Sequence, residues 1–432
     1  MARLFYNLIF TLAIPFILIR MWLRGASNPG YRQRWAERFG LAAIAGVKAN
    51  GILVHTVSVG ETLAAVPMVR GIQQQFPDKH ITITTTTPTG SDQVLRIYKA
   101  EIAAGTISHC YLPYDLPWLM ALFLRKVKPS LAIIMETELW PNFIRRCNQL
   151  KVPVLLANAR LSERSAKGYR KLAALTAPML NGLSLVAAQH RDDGRRFIEL
   201  GLDEQKVDVT GSIKFDISVP ADSEQQGIKL RQQWGAERPV LLLGSSHEGE
   251  DDLILDCYQQ LVEKYPDLIL VLVPRHPERF DSVAAIVLNR ELELIRRSES
   301  LQKGALQPNY KTQVYLADTM GEMMLLQAAA DICIIGGSFI EHGGHNPLEA
   351  CALGKTVVMG PSDFNFAAIS EQLRHEGAMQ QCQSNELAAC VAQLFAKPAM
   401  RTEMGAAAQR VVAENQGAVE GLLSNISHLL KR

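Results

Sequence analysis

Several short segments hold side chains able to bind or move charge. Glu61 follows Ser58, Val59 and Gly60. Gly60 permits close backbone approach to a ligand. The plainer reading of Glu61 is a complement to a helix N-terminus. The alternative is a general base that takes a proton from a hydroxyl nucleophile. Glu136 and Glu138 stand two residues apart, at the end of an apolar run. Carboxylates there are costly unless paired or open to a cleft. They suit either a capped helix start or an acid–base or cation-binding pair. Lys214, in TGSIKFD (210–216), is either a solvated lysine or a partner for phosphate or for charge developing in a transition state.

The second half of the chain adds more. Pro274 and Arg275 end another apolar run, and Arg275 can offer its fork to a phosphate. His247 and His276 are read first as ordinary loop histidines, with ligand or proton-donor roles as the alternative. Met320, Gly321 and Glu322 stand at a helix start that presents free N–H groups. In HGGHNPLEA (342–350), Pro347 suits a first helical position. Asn346 and Glu349 have the spacing of a capping box, and Leu348 lies between them. The same helix start is an anion site, where Glu349 could accept bonds from ribose hydroxyls.

Absences narrow the chemistry. The sequence contains no G-x-G-x-x-G, no P-loop and no H-E-x-x-H. Asp-x-Asp, the usual holder of a cation-bridged nucleotide sugar, is also missing. No catalytic metal is expected.

The elements behind these residues alternate. Apolar runs at 51–57, 81–87, 131–137, 152–158, 183–188 and 206–212 are separated by helical segments. After a polar stretch at 218–227 the pattern restarts, with runs at 239–245, 268–274, 292–297, 312–318, 331–337 and 355–360. This predicts two α/β domains with parallel, doubly wound sheets. The expected boundaries are 1–25, 26–217 and 218–432, with helices from 384 onward closing the second domain. Ligands of such sheets lie beyond the carboxyl ends of the strands, where the residues above fall.

The chain has 432 residues, 48% hydrophobic and 20% charged, with net charge +2. That excludes a strongly basic nucleic-acid binder and a disordered chain. Seven cysteines without a C-x-x-C pair fit a reducing compartment. The average hides an asymmetry: residues 1–40 hold six arginines against Glu37 alone. Beside them, residues 4–23 are almost wholly apolar, long enough for a membrane anchor if Arg20 snorkels. A buried helix and a signal peptide compete, but no A-x-A-like site follows. Arginines after the segment outnumber those before it, which places the bulk of the chain in the cytoplasm. Tyr31, Trp35 and Phe39, spaced by four, predict one helical face, packed on its own domain or resting on anionic lipid.

Taken together, the segments resemble the 3-deoxy-D-manno-octulosonic acid (Kdo) transferases of lipopolysaccharide synthesis. The resemblance runs almost end to end. It rests on YRQRWAERFG, HTVSVGETLAA, METELWPN, ANARLSERS, TGSIKFDIS, HEGE, VPRHPERF, DTMGEM and GGSFIEHGGHNPLEA. The stretch at 99–110 departs by extra length and is read as lying between strands. The resemblance implies a GT-B fold of two Rossmann-like domains facing across a cleft. It implies an inverting transfer of Kdo from CMP-Kdo to the lipid A precursor lipid IVA at the cytoplasmic face of the inner membrane. By motif, Glu61 is the base, and Glu136 and Lys214 serve the transition state; whether Glu136 or Glu138 matters more stays open. CMP contacts map to Pro274, Arg275, Met320, Gly321, Glu322, Asn346, Pro347, Leu348 and Glu349. No cofactor is implied beyond the donor. A UDP-sugar enzyme of the same fold is the alternative.

Overall fold

The computed structural model describes residues 1–26, 28–42, 44–303 and 312–431. The chain forms two compact units, Met1–Asp216 with Gln416–Arg432, and Ile217–Asn415.

The first unit is built on a parallel sheet of seven strands. They are β1 (Ile52–His55), β2 (Ile81–Thr85), β3 (Ile107–Tyr111), β4 (Leu131–Met135), β5 (Val154–Ala159), β6 (Leu185–Ala188) and β7 (Val207–Val209). Their spatial order is β3-β2-β1-β4-β5-β6-β7. The runs are apolar throughout because both faces of a parallel sheet are covered. Alternation then divides each strand between two cores. Ile52 and Val54 join Ile133 and Met135 on one face, with Met68 and Ile72 of the helix Val59–Gln75. Leu53, Ala132 and Ile134 meet Met120, Phe123 and Phe143 on the other.

The second unit repeats the plan. Its strands are β8 (Val240–Ser246), β9 (Ile269–Pro274), β10 (Leu294–Arg296), β11 (Val314–Leu316), β12 (Ile332–Ile335), β13 (Thr356–Met359) and β14 (Met379–Gln381). They lie in the order β10-β11-β9-β8-β12-β13-β14. In each sheet the order reverses beside the first strand, between β1 and β4 and between β8 and β12. These are the points where doubly wound sheets place their ligands.

Four features differ from the sequence expectation. First, the 99–110 stretch does not lie wholly between strands: its end forms the edge strand β3. Ser108 and His109 broke the apolar signal. Both are satisfied in place, Ser108 by His80 and Thr82, His109 by Ser91 and the Ile83 carbonyl. Second, β14 is also an edge strand, and Gln380 and Gln381 masked it. Third, residues 31–40 are not one helix. Arg34 takes a left-handed φ of 56° between a 3-10 turn and a single helical turn. Its guanidinium is held by Glu37 at 2.7 Å and Ser91 at 2.7 Å. Arg38 is buried, lying 3.9 Å over the Tyr111 ring and donating to the Thr86 carbonyl. These two arginines therefore pack on their own domain.

Fourth, the closing helices do not all stay with the second unit. The terminal helix Ala418–Leu430 returns to the first, inserting Leu422, Ile426 and Leu429 into the core beneath β1. The Asp216 carboxylate fixes its start, accepting from Gly417 N at 2.6 Å and Val419 N at 2.5 Å. That one side chain satisfies two orphan donors and complements the helix dipole.

The N-terminal helix spans Ala2–Arg24, with mean hydropathy 1.9 over its most apolar stretch. One flank touches the first unit. Tyr6 donates to Asp115 at 3.0 Å, Asn142 to Asn7 at 2.8 Å, and Phe10 meets Trp140 edge-on. The opposite flank leaves Leu8, Leu12, Phe16 and Ile19 more than half exposed.

Asp216→Ala should lower the unfolding free energy by about 2 kcal/mol, the worth of charge-assisted hydrogen bonds. Amide exchange should quicken in 418–430 and stay unchanged in 240–380. Equal protection of the terminal helix in variant and wild type would contradict this anchoring role.

Candidate functional site

In the first unit, β1 delivers Glu61 and its neighbour β4 delivers Glu136 and Glu138. Glu61 lies in the first turn of Val59–Gln75. Its Oε2 accepts from Val57 N at 2.8 Å, and Ser58 Oγ donates to Oε1 at 3.2 Å. The helix-complement reading is thus realised, and the carboxylate is buried as well. Burial pushes its pKa up to about 7, and Glu136 and Glu138 push in the same direction, against the Val57 and Ser58 bonds. Glu138 is itself raised, first by burial and then by Glu136. Gly60 has open space where a Cβ would stand, the nearest atom being Ser58 Oγ at 3.9 Å. The glycine leaves room beside Glu61 rather than enabling a strained turn.

The strain lies elsewhere. Glu136 has φ 55° and Asn158, at the end of β5, has φ 54°. Non-glycine residues in this region cost free energy and cluster at working sites. Asn158 is fully buried, and its Oδ1 accepts from Ile213 N at 3.1 Å. This fixes the 3-10 turn Ile213–Phe215 that carries Lys214. Lys214 loses proton affinity through burial, regains some from Glu136, and loses some to Arg160. Glu61, Glu136, Glu138 and Lys214 therefore share one electrostatic neighbourhood. Within it, Glu136 acts on each of the other three. Sequence reasoning singled out no role for Asn158. Its signal was an asparagine closing an apolar strand.

The second unit gathers a different set. Glu250 is buried and takes three backbone donors: His247 N at 3.0 Å, Gly337 N at 2.7 Å and Phe339 N at 3.1 Å. One side chain thus ties the loop after β8 to the loop after β12. Asp251 receives Ser246 Oγ at 2.6 Å and pairs with Arg279. These loops bring His247 Nε2 to 2.8 Å from His345 Nε2, with the rings stacked. His342 completes a trio whose ligand atoms lie within 4.8 Å of one another, the group among the described residues able to hold a metal ion. Its other charged neighbours are Arg275 and Arg279. Sequence reasoning read His247 first as a loop histidine, with a ligand or proton-donor role as the alternative, and gave no role to His342, His345 or Glu250.

Pro274 ends β9, and Arg275 N donates to Ser246 O at 3.0 Å. Burial raises Glu349, and Arg275 and Asn346 pull it back down. The expected capping box does not form. Asn346 Oδ1 accepts from Leu348 N at 3.1 Å, while Glu349 is engaged by the Asn346 side chain. Pro347 is the cap rather than the first helical residue, and Leu348 is buried. Met320 and Gly321 lead into the helix Met323–Ala329, as expected, and Glu322 is its cap. The Glu322 carboxylate is held by Arg297 at 2.7 Å and by Thr319, which lowers its pKa. Met320 is exposed, and Gly321 has φ 87° with nothing near its Cβ position.

Two doubly wound Rossmann-like units make a GT-B type fold, and sequence comparison supplies the family. The family model described as "3-Deoxy-D-manno-octulosonic-acid transferase (kdotransferase)" matches residues 33–217. That of the group 1 glycosyl transferases matches 245–411. A 3-deoxy-D-manno-octulosonic acid transferase of Haemophilus influenzae is 40% identical over 435 residues, covering all of both chains. One from Bordetella pertussis is 35% identical over 440 residues, again covering all of both. A solved glycosyltransferase from Rickettsia africae shares the fold at 15% identity, TM-score 0.54, covering 89% of this chain and 100% of that one. The chain belongs to the 3-deoxy-D-manno-octulosonic acid transferases, glycosyltransferases that move Kdo in lipopolysaccharide biosynthesis.

If Glu61 works as a base, kcat/KM should climb with unit slope and level off above about pH 7. Glu138→Gln removes a like charge, so that limb should move to lower pH. A limb unmoved in Glu138→Gln would contradict the carboxylate coupling.

Proposed function

We propose that this enzyme transfers Kdo from CMP-Kdo to a hydroxyl of lipid IVA with inversion, Glu61 being the general base. The observation that carries the reading is Glu61 itself. It is buried at the sheet's switch point, with a pKa pushed up to about 7 by burial and by Glu136 and Glu138. Such a carboxylate is basic enough to take a hydroxyl proton and is still substantially ionised near neutrality. Glu136 and Lys214 are suited to steady charge at the anomeric centre, which acquires oxocarbenium character as the bond to the leaving group breaks. A base and a leaving group on opposite faces of that carbon give inversion. Arg275, with Pro274 and the loop Asn346–Glu349, is suited to the nucleotide, and the Met320–Glu322 turn offers backbone groups to it. Arg275 is suited to offset the phosphate charge that grows on departure.

The apolar flank of Ala2–Arg24, with Arg20, Arg24 and Arg32 at its C-terminal end, supports attachment to the cytoplasmic face of the inner membrane, where an anionic lipid acceptor resides.

Purified protein with lipid IVA and a CMP-Kdo supply should yield, by mass spectrometry, an acceptor heavier by one or more Kdo units. A product formed only from a UDP-sugar would overturn the donor assignment. Glu61→Gln should cut turnover by about 10²–10⁴-fold, the usual contribution of such a base, with CMP binding intact. Leu12→Glu with Phe16→Glu should abolish sedimentation with anionic vesicles. Undiminished sedimentation would contradict the anchor.

A further inference from the structure

The helix Ala2–Arg24 is long enough to cross a bilayer, yet it is tied to the first unit near both of its ends. Its less exposed residues recur every three or four positions, from Tyr6 through Phe10, Ala13 and Ile17 to Met21. At the start of this stripe, the buried Asp115 carboxylate accepts from Tyr6 Oη at 3.0 Å, from Asn142 N at 2.9 Å and from Phe143 N at 2.8 Å. Asn142 Nδ2 also donates to Asn7 Oδ1 at 2.8 Å, and Phe10 meets both Tyr114 and Trp140. At the other end, Met21 is buried and its sulfur accepts from Tyr114 Oη at 3.0 Å. Tyr6 and Met21 are 15 residues apart, about 22 Å at the helical rise.

A crossing helix needs lipid on all sides over most of its length. This one would first have to peel away from the domain, taking Tyr6 and Asn7 into hydrocarbon without partners and leaving Asp115 short of a donor. Otherwise it would drag Asp115 and Asn142 in with it. The opposite flank has no such conflict. Leu4, Leu8, Leu12, Phe16, Ile19 and Leu23 are each more than half exposed, and together they form an apolar face along the whole helix. The helix holds no acidic residue. Arg20 and Arg24 are exposed near its end, and Arg32 donates to the Trp22 carbonyl and lies 4.7 Å over the Trp22 ring. An apolar face edged by arginines and a tryptophan complements the boundary between acyl chains and anionic headgroups.

We propose that Ala2–Arg24 lies in the plane of one leaflet of an anionic bilayer and does not cross it, the stripe from Tyr6 to Met21 staying on the first unit while the opposite flank enters the acyl chains. This rests on the reading of the helix as the membrane attachment. The helix is then part of a docking face rather than a tether. Trp140 and Asn142, which hold it, follow Glu136 and Glu138 in the same loop. The bonds that fix the helix flat therefore also fix the height of that loop above the leaflet.

The test is the immersion depth of single spin labels in the full chain, bound to vesicles of phosphatidylethanolamine and phosphatidylglycerol. Labels are placed one at a time by Leu4→Cys, Leu8→Cys, Leu12→Cys, Phe16→Cys and Ile19→Cys. Cys390, the native cysteine that is not buried, is replaced by Ser. Depth is read from collision rates with oxygen, which favours lipid, and with a nickel chelate, which favours water. All five labels should sit at similar depth, about 5–10 Å below the headgroup boundary. A label at 12 about 15 Å deep, at mid-bilayer, with those at 4 and 19 near opposite surfaces, would overturn the in-plane helix and leave the attachment standing. Labels that stay in water on protein that still sediments with the vesicles would also overturn it alone. Protein that does not sediment would overturn the attachment and the in-plane helix together. Labels shielded from oxygen and coupled to those of another copy would assign the apolar flank to a second chain instead.

Discussion

Withdrawing Glu61 from water beside two other carboxylates is the constraint around which the first unit is arranged. An isolated buried carboxylate is too costly to remain charged. Here the cost is moderated rather than removed. One backbone N–H and one hydroxyl bond the carboxylate, while Glu136 and Glu138 oppose its ionisation. The outcome is a proton affinity near neutrality, the range a general base requires. Lys214 sets a positive charge against Glu136, and its turn is fixed by Asn158 gripping the Ile213 backbone. The left-handed backbone at Glu136 and Asn158 is the conformational cost of turning both strand ends toward that spot.

The second unit solves the opposite problem with the same sheet plan. Its reversal point collects imidazoles and arginines rather than carboxylates, and a buried acid, Glu250, is used to staple two loops. The reversal point of one unit thus gathers carboxylates, and that of the other gathers imidazoles and arginines. Gly336 belongs to this economy, since a Cβ there would collide with the Ser245 backbone.

What the sequence made legible follows from range. The runs behind β1 and β4 are local, so the strands and the positions of Glu61 and Glu136 at their ends could be read directly. Edge strands β3 and β14 could not, because Ser108, His109 and the glutamines of β14 satisfy polar groups inside a strand. The bend at Arg34 depends on Ser91, which lies far along the chain. The histidine cluster was invisible for the same reason: His247 and His345 are 98 residues apart and meet only because β8 pairs with β12. The terminal helix joins the first unit through Asp216, across 201 residues, and no local pattern announces that return.

The most direct test of the account is the titration of Glu61 itself, followed by the carboxyl ¹³C resonance of labelled protein and assigned by its loss in Glu61→Gln. The account predicts a midpoint near pH 7, falling when Glu136 or Glu138 is neutralised. A midpoint in the ordinary glutamate range, about 4.3, and indifferent to both neighbours, would contradict it.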